Sequence, residues 1–140
     1  MSRRNKKNSN KKVSQMLIVA FFLGLLLISY NVLAERNKVI HIELGKTSYI
    51  ELLKYEDSSM KTINDRIILR DILLRINDLG AKEIDMTTSP VSEKFINVYD
   101  KNYKKTMLIK SGKYMKVENK WYLLDERSAN SFDKIFDKYN

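Results

Sequence analysis

The sequence contains no cysteine, one histidine, one proline and four glycines. The absence of cysteine excludes disulfides, thiolate metal sites, a cysteine nucleophile and a lipid anchor attached through a thioether. The single histidine, His41, excludes any site that needs two imidazole groups. With little proline and glycine and 44% hydrophobic residues, the 140-residue chain is neither disordered nor fibrous, and its length predicts one domain.

Acidic residues are absent from the first 34 positions, which carry six of the 26 basic residues. These six are Arg3, Arg4, Lys6, Lys7, Lys11 and Lys12. The net charge of +9 is therefore concentrated in a tail, because the rest of the chain sets 20 basic residues against 17 acidic ones. A basic tail beside a hydrophobic segment is typical of the positive-inside rule, so we expect no nucleic-acid partner.

Charged residues are also absent from positions 13–34, and positions 16–28 are apolar throughout. A helix needs about 20 mostly apolar residues to span a bilayer, so this segment predicts a transmembrane signal-anchor that contacts the lipid bilayer. The basic tail at 1–12 predicts a cytoplasmic N-terminus and an extracytoplasmic domain at 35–140. The same anatomy fits a cleavable signal peptide, with Val32 and Ala34 as the small residues before Glu35, and cleavage there would secrete the domain.

Hydrophobic periodicity beyond residue 35 predicts an α+β domain. Residues 38–44 alternate as a strand does, residues 47–55 are predicted as a second strand, and residues 60–63 form a short extended lead-in to a helix. That helix is predicted from an N-cap at Asn64 to a stop at Gly80. Its apolar stripe consists of Ile68, Leu69, Ile72, Leu73, Ile76 and Leu79, whereas Ile67 and Leu74 lie away from the stripe.

A four-strand meander is predicted to follow a loop at 82–92. Its strands are 93–99, 103–110, 113–117 and 120–125, and a short helix follows Ser128. The predicted fold is therefore a small antiparallel sheet, the meander plus one or two N-terminal strands, packed on one main helix with a short C-terminal helix. The lysines at the strand ends are expected to be solvated, namely Lys104, Lys110, Lys113 and Lys120.

Short turns at 100–102, 111–112 and 118–119 allow side-chain parity to be followed through the meander. One face is chiefly aliphatic and suits the main helix. The other mixes aromatic and polar side chains, as binding surfaces do, and is the candidate partner-binding face. Its residues are Phe95, Asn97, Tyr99, Tyr103, Lys105, Tyr114, Lys116 and Trp121. Alternatively, the C-terminal helix or residues 38–55 cover this face and make it a second core layer.

Motifs for catalysis or cofactor binding are missing from the sequence. It has no glycine-rich phosphate loop, no GxSxG, no HExxH and no EF-hand loop, so no enzymatic activity, cofactor or metal site is predicted. The expected function is a non-enzymatic, membrane-anchored extracytoplasmic domain that binds a protein or a cell-envelope polymer through the aromatic face. The alternative is a secreted or tethered inhibitor or immunity-type protein that acts on one enzyme or toxin.

The order of elements from residue 49 to residue 136 carries a family resemblance. Its parts are the helical KTINDRIILRDILLRIND, the loop TTSPVSEKF, the strands in KTMLIKSGKYMKVENKWYLL and the closing SFDKIF. This arrangement resembles a family of small uncharacterised exported domains of Gram-positive bacteria. The resemblance implies a fold of the beta-lactamase-inhibitor-protein class behind a signal or lipoprotein anchor, but no catalytic residues. The chain departs from the family in having no lipobox cysteine.

Overall fold

The structure, a computed structural model, describes the backbone of residues 3–36 and 38–140. Side chains are described for residues 12–30 and 38–140. The chain divides into two compact units, Met1–Arg36 and Asn37–Asn140.

The first unit is one helix, α1 (Arg3–Arg36). Its segment Lys12–Tyr30 is long and apolar enough to cross a membrane, and a signal sequence has the same length and composition. This confirms the predicted apolar helix in its coarse form. The predicted cleavage positions Val32, Ala34 and Glu35 lie within α1, but their side chains are outside the described part of the chain.

The second unit is a seven-stranded antiparallel sheet with two helices, which confirms the predicted α+β class. The strands are β1 (Thr47–Lys54), β2 (Ser59–Ile63), β3 (Ala81–Ile84), β4 (Lys94–Asp100), β5 (Lys105–Ser111), β6 (Tyr114–Val117) and β7 (Lys120–Leu124). The helices are α2 (Arg66–Asn77) and α3 (Glu126–Tyr139). The strand order is β2-β1-β4-β5-β6-β7-β3, so the predicted meander forms the centre and β1 pairs with its first strand.

Two predictions about the strands are wrong. Residues 38–44 form no strand; only Lys38 makes an isolated bridge, to Gly80. Their alternation arises because Val39, Ile40, Ile42 and Leu44 pack against the hydrophobic core. Conversely, the predicted loop at 82–92 includes most of β3, which is an edge strand. Its Lys82 and Glu83 are exposed, and two adjacent polar residues are typical of a loop in the sequence.

The ends of α2 also differ from the prediction. Asp65, rather than Asn64, is the N-cap and accepts hydrogen bonds from the backbone of Ile67 and Ile68. Gly80 lies two residues beyond the C-cap, and its φ is not positive. A Cβ at this position would lie 2.7 Å from Oδ2 of Asp125, the N-cap of α3, so a larger residue at position 80 would require the Asp125 side chain to move.

The core lies between the two helices and one face of the sheet, here called the inner face. The predicted stripe of α2 supplies Leu69, Ile72, Leu73 and Ile76, all buried, and α3 supplies Phe132, Ile135 and Phe136. The inner face supplies Ile50, Leu52, Ile96, Val98, Leu108, Met115, Val117 and Leu124. Each fully buried aliphatic or aromatic side chain contributes about 1.5–3 kcal/mol, which explains why both helices take this face.

Candidate functional site

The opposite, outer face of the sheet gathers seven of the eight residues predicted for the binding face. The pairings Phe95 with Ile109, Ile109 with Lys116 and Lys116 with Trp121 form one continuous row across four strands. The other members are Asn97, Tyr99, Lys105 and Tyr114. Two of the three turns lie one residue later than predicted, which moves the register by two residues. A two-residue shift leaves every side chain on its predicted face.

Tyr103 is the predicted residue that does not join this face. It lies in the turn between β4 and β5 with φ at +60°, and 79% of it is exposed. Its backbone N–H donates to the carbonyl of Asp100, which closes a β-turn over residues 100–103. The prediction placed the turn one residue too early, so Tyr103 was wrongly assigned to the strand.

Strand β1 adds three residues to the outer face that the sequence did not assign to it. Its pairing with β4 sets Tyr49 beside Tyr99, Glu51 beside Asn97, and Leu53 beside Phe95. The alternation of TSYIELLK shows which side chains share a face with Glu51. It does not show which strand lies next to β1, because that pairing joins residues more than 40 positions apart.

Four residues on β1 and β4 form a group joined by hydrogen bonds and ring stacking, here called the Tyr–Glu–Asn cluster: Tyr49, Glu51, Asn97 and Tyr99. The two tyrosine rings stack with centroids 4.5 Å apart. The Tyr99 hydroxyl donates to Oε2 of Glu51 over 3.0 Å, and Nδ2 of Asn97 donates to the same oxygen over 3.2 Å. Desolvation, followed by the hydrogen bond to Glu51, raises the pKa of Tyr99.

One buried polar atom of the Tyr–Glu–Asn cluster has no hydrogen-bond partner among the described residues. Asn97 is 8% exposed, and its Oδ1 accepts no bond from the described residues. Since Nδ2 faces the Glu51 carboxylate, the orientation of the amide is fixed with Oδ1 as the remaining acceptor. A buried acceptor without a protein partner is uncommon in folded proteins.

The other end of the outer face is cationic and aromatic. Nζ of Lys116 lies 5.7 Å from the ring centroid of Trp121, within reach of a cation–π contact. Both residues and Tyr114 are half-buried. Trp121 lies three strands away from β4, the strand that carries Asn97, which is about 14 Å at the usual strand spacing.

The alternative in which α3 or residues 38–55 cover the outer face is wrong. Both helices pack on the inner face, and Thr47–Lys54 joins the sheet as β1.

Residues 85–93 connect the parallel strands β3 and β4 and therefore must cross one face of the sheet. Because α2 crosses the inner face in the opposite lateral direction, the right-handed sense of such crossovers leads us to expect residues 85–93 on the outer face. This segment then contributes to the partial burial of the side chains on the outer face.

One of the four strand-end lysines is not solvated. Lys110 lies on the inner face and is 3% exposed, with Nζ 3.0 Å from Oδ2 of Asp133 on α3. Lys94 donates to the same carboxylate over 2.6 Å. The prediction was wrong because the alternation along β5 turns the Lys110 side chain toward the inner face, where α3 supplies a carboxylate. The location of Lys110 at the end of a strand indicates neither of these contacts. Lys104, Lys113 and Lys120 are exposed as expected.

Within the described residues, no group of three or more His, Cys, Asp or Glu side chains is placed to hold a metal ion. His41 itself is exposed. Comparison of the chain with family models, curated proteins and solved structures finds no match. The family resemblance therefore stays a prediction, and the interpretation of function depends on the surfaces of the molecule itself.

Proposed function

We propose that this chain is a non-enzymatic, membrane-anchored module that binds a protein or a cell-envelope polymer outside the cytoplasm. The observation that carries the proposal is the outer face, which collects aromatic side chains while both helices pack on the other side of the sheet. These aromatic residues are Tyr49, Phe95, Tyr99, Tyr114 and Trp121.

The membrane anchor is supported by the apolar segment Lys12–Tyr30 and by the charges beside it. Six basic residues and no acidic residue precede that segment's apolar stretch, and the next charges are Glu35 and Arg36. By the positive-inside rule the N-terminus is cytoplasmic, and the Asn37–Asn140 unit is on the other side. Protease added to spheroplasts then digests that unit and leaves the tail protected. Protection of the unit instead contradicts this topology.

The binding role is supported by the composition of the outer face. Tyrosine and tryptophan combine a large apolar area with a polar group, and they dominate binding energy at many interfaces. The aromatic residues here are half-buried in the chain and keep part of their surface accessible. A partner that covers them gains apolar contact, and the lysines beside them supply a polar rim.

Site-specific photo-crosslinking in living cells tests this proposal. The full chain carries a benzophenone amino acid either at Lys116, beside Trp121 on the outer face, or at Leu74, which is 60% exposed on α2. We expect a discrete crosslinked species from position 116 and none from position 74. A species from position 74 alone would assign binding to the helical side and overturn the proposal.

The chemical nature of the crosslinked species distinguishes the two classes of function. A structural protein or an envelope polymer agrees with the binding module. A hydrolytic enzyme or a toxin, with its activity reduced on binding, favours the inhibitor or immunity-type protein.

A further inference from the structure

We propose that the Tyr–Glu–Asn cluster binds a guanidinium group, supplied by an arginine side chain of the partner. This inference rests on the proposed function and adds the chemistry that one part of the outer face recognises. Three observations support it: an uncompensated carboxylate, a buried acceptor without a donor, and a stacked pair of tyrosine rings.

The carboxylate of Glu51 lacks a cationic partner. Among the described residues no lysine, arginine or histidine nitrogen lies within 4.0 Å of it, whereas Asp71, Asp133 and Glu83 all form ion pairs. Both of its hydrogen bonds, from Asn97 and Tyr99, come from neutral donors and end on Oε2. The half-buried negative charge of Glu51 is therefore available to a positively charged donor.

Glu51 is also the only acidic residue that faces outward from the seven described strands. The other charged strand residues of that face are Lys82, Lys105 and Lys116, all basic. Among the strand side chains, a cation approaching the outer face is therefore attracted to Glu51 and repelled by the three lysines. This charge pattern favours the Tyr–Glu–Asn cluster as the place where a basic side chain binds.

The buried Oδ1 of Asn97 shows that the missing group is a hydrogen-bond donor. It belongs to the same amide that donates to Glu51, so a ligand bound at the carboxylate needs only a local movement of the side chains over Asn97 for a second donor to reach Oδ1. A guanidinium carries five N–H donors in a plane, stacks on tyrosine rings and always bears a charge. An ammonium lacks the planar stacking, and a sugar hydroxyl leaves the Glu51 charge uncompensated.

A titration followed by nuclear magnetic resonance tests the inference on the full chain in detergent micelles. The probes are N-acetyl-arginine amide and N-acetyl-citrulline amide, which has nearly the same shape but a neutral urea group. We expect the arginine probe to shift the side-chain amide resonances of Asn97 in a saturable way at millimolar concentration. The citrulline probe should bind at least about tenfold more weakly, because hydrogen bonds to charged groups are the stronger ones.

The Glu51→Gln variant keeps the shape of the side chain and one acceptor but removes the charge. We expect it to weaken the arginine probe at least about tenfold. Glu83→Gln is the matched control, since Glu83 is an exposed strand residue paired with Lys120, and it should leave the titration unchanged. Unchanged backbone resonances outside the cluster show that the variants are folded.

Equal binding of the two probes, or equal binding to wild type and Glu51→Gln, overturns the inference. So does a tri-N-acetylglucosamine probe that shifts the Asn97 resonances when the arginine probe does not. These failures differ from failure of the proposed function: a partner crosslinked at position 116 without any arginine binding refutes only the guanidinium site. Arginine binding without any crosslinked partner contradicts the partner-binding role.

Discussion

Asn77 makes two reciprocal hydrogen bonds with the backbone of Ile42. Its Nδ2 donates to the carbonyl of Ile42 over 2.9 Å, and the N–H of Ile42 donates to its Oδ1 over 2.7 Å. The side-chain amide thus takes the place of a neighbouring strand. It satisfies backbone groups that a ladder would otherwise pair, which allows residues 38–44 to pack on the core without joining the sheet.

Replacing Asn77 with alanine should destabilise the second unit by about 1–3 kcal/mol, because both backbone groups of Ile42 lose their partner in a partly buried position. Denaturant unfolding measures this loss, and hydrogen exchange at the Ile42 amide should become faster. Asn130→Ala, an exposed asparagine on α3, is the control and should change the stability by less than about 0.5 kcal/mol. Equal effects of the two variants would show that the Asn77 contact does not hold the segment.

The two sides of α2 should respond differently to truncation. Ile72 is fully buried, so Ile72→Ala should cost about 2–5 kcal/mol. Ile67 is 81% exposed on the same helix, and Ile67→Ala should cost less than about 0.5 kcal/mol. Thermal unfolding of the two variants compares the same isoleucine-to-alanine change at two positions of one helix. Equal losses of stability would contradict the assignment of Ile72 to the core.

Asp133 balances the buried ammonium of Lys110. Asp133→Asn should cost about 2–3 kcal/mol, below the usual loss for a broken buried pair because Asp133 is one-third exposed. Lys110→Met should cost less, since an apolar side chain of similar length replaces a buried charge and Asp133 keeps Lys94. Lys120→Met breaks the exposed pair with Glu83 and should change little. A larger loss from Lys110→Met than from Asp133→Asn would refute this order.

Asp71 should make the stability depend on pH in the acidic range. The hydroxyl of Tyr139 donates to its Oδ2 over 2.7 Å, and this bond, with Arg75 and Lys138, lowers the pKa of Asp71. A carboxyl whose pKa is lower in the folded state stabilises the fold above its unfolded pKa. That contribution is lost as pH falls below the ordinary aspartate pKa of about 3.9 and through the lower folded pKa.

The Tyr139→Phe variant removes the main cause of this shift and only one oxygen atom. The pKa of Asp71 should rise toward its ordinary value, and the variant should lose less stability than wild type between pH 6 and pH 3. Carbon-13 detected titration of the Asp71 carboxyl and urea unfolding at both pH values measure these effects. Tyr55→Phe, at a residue that is 71% exposed, should leave the Asp71 titration where it is in wild type.

Features set by neighbouring residues could be predicted from the sequence, and those set by distant residues could not. The stripe of α2 and the two faces of the meander follow from local periodicity and hold even where turns shift by one residue. Three other features depend on contacts between residues 23 or more positions apart. They are the pairing of β1 with β4, the ion pair of the buried Lys110 with Asp133, and the close approach of Gly80 to Asp125. The candidate site was predicted for its β4–β7 half and missed for its β1 half.

The central claim is that the outer face, and not the exposed side of α2, binds the partner. The most direct test measures how much of the partner identified by crosslinking is retained by two double variants of the full chain in membranes. Tyr114→Ser with Trp121→Ser alters the outer face, and Ile67→Ser with Leu74→Ser is the control on α2. We predict that the first retains less than about a tenth of the wild-type amount and the second retains all of it, with both folded by circular dichroism. Full retention by the outer-face variant, together with loss from the α2 variant, would contradict the account.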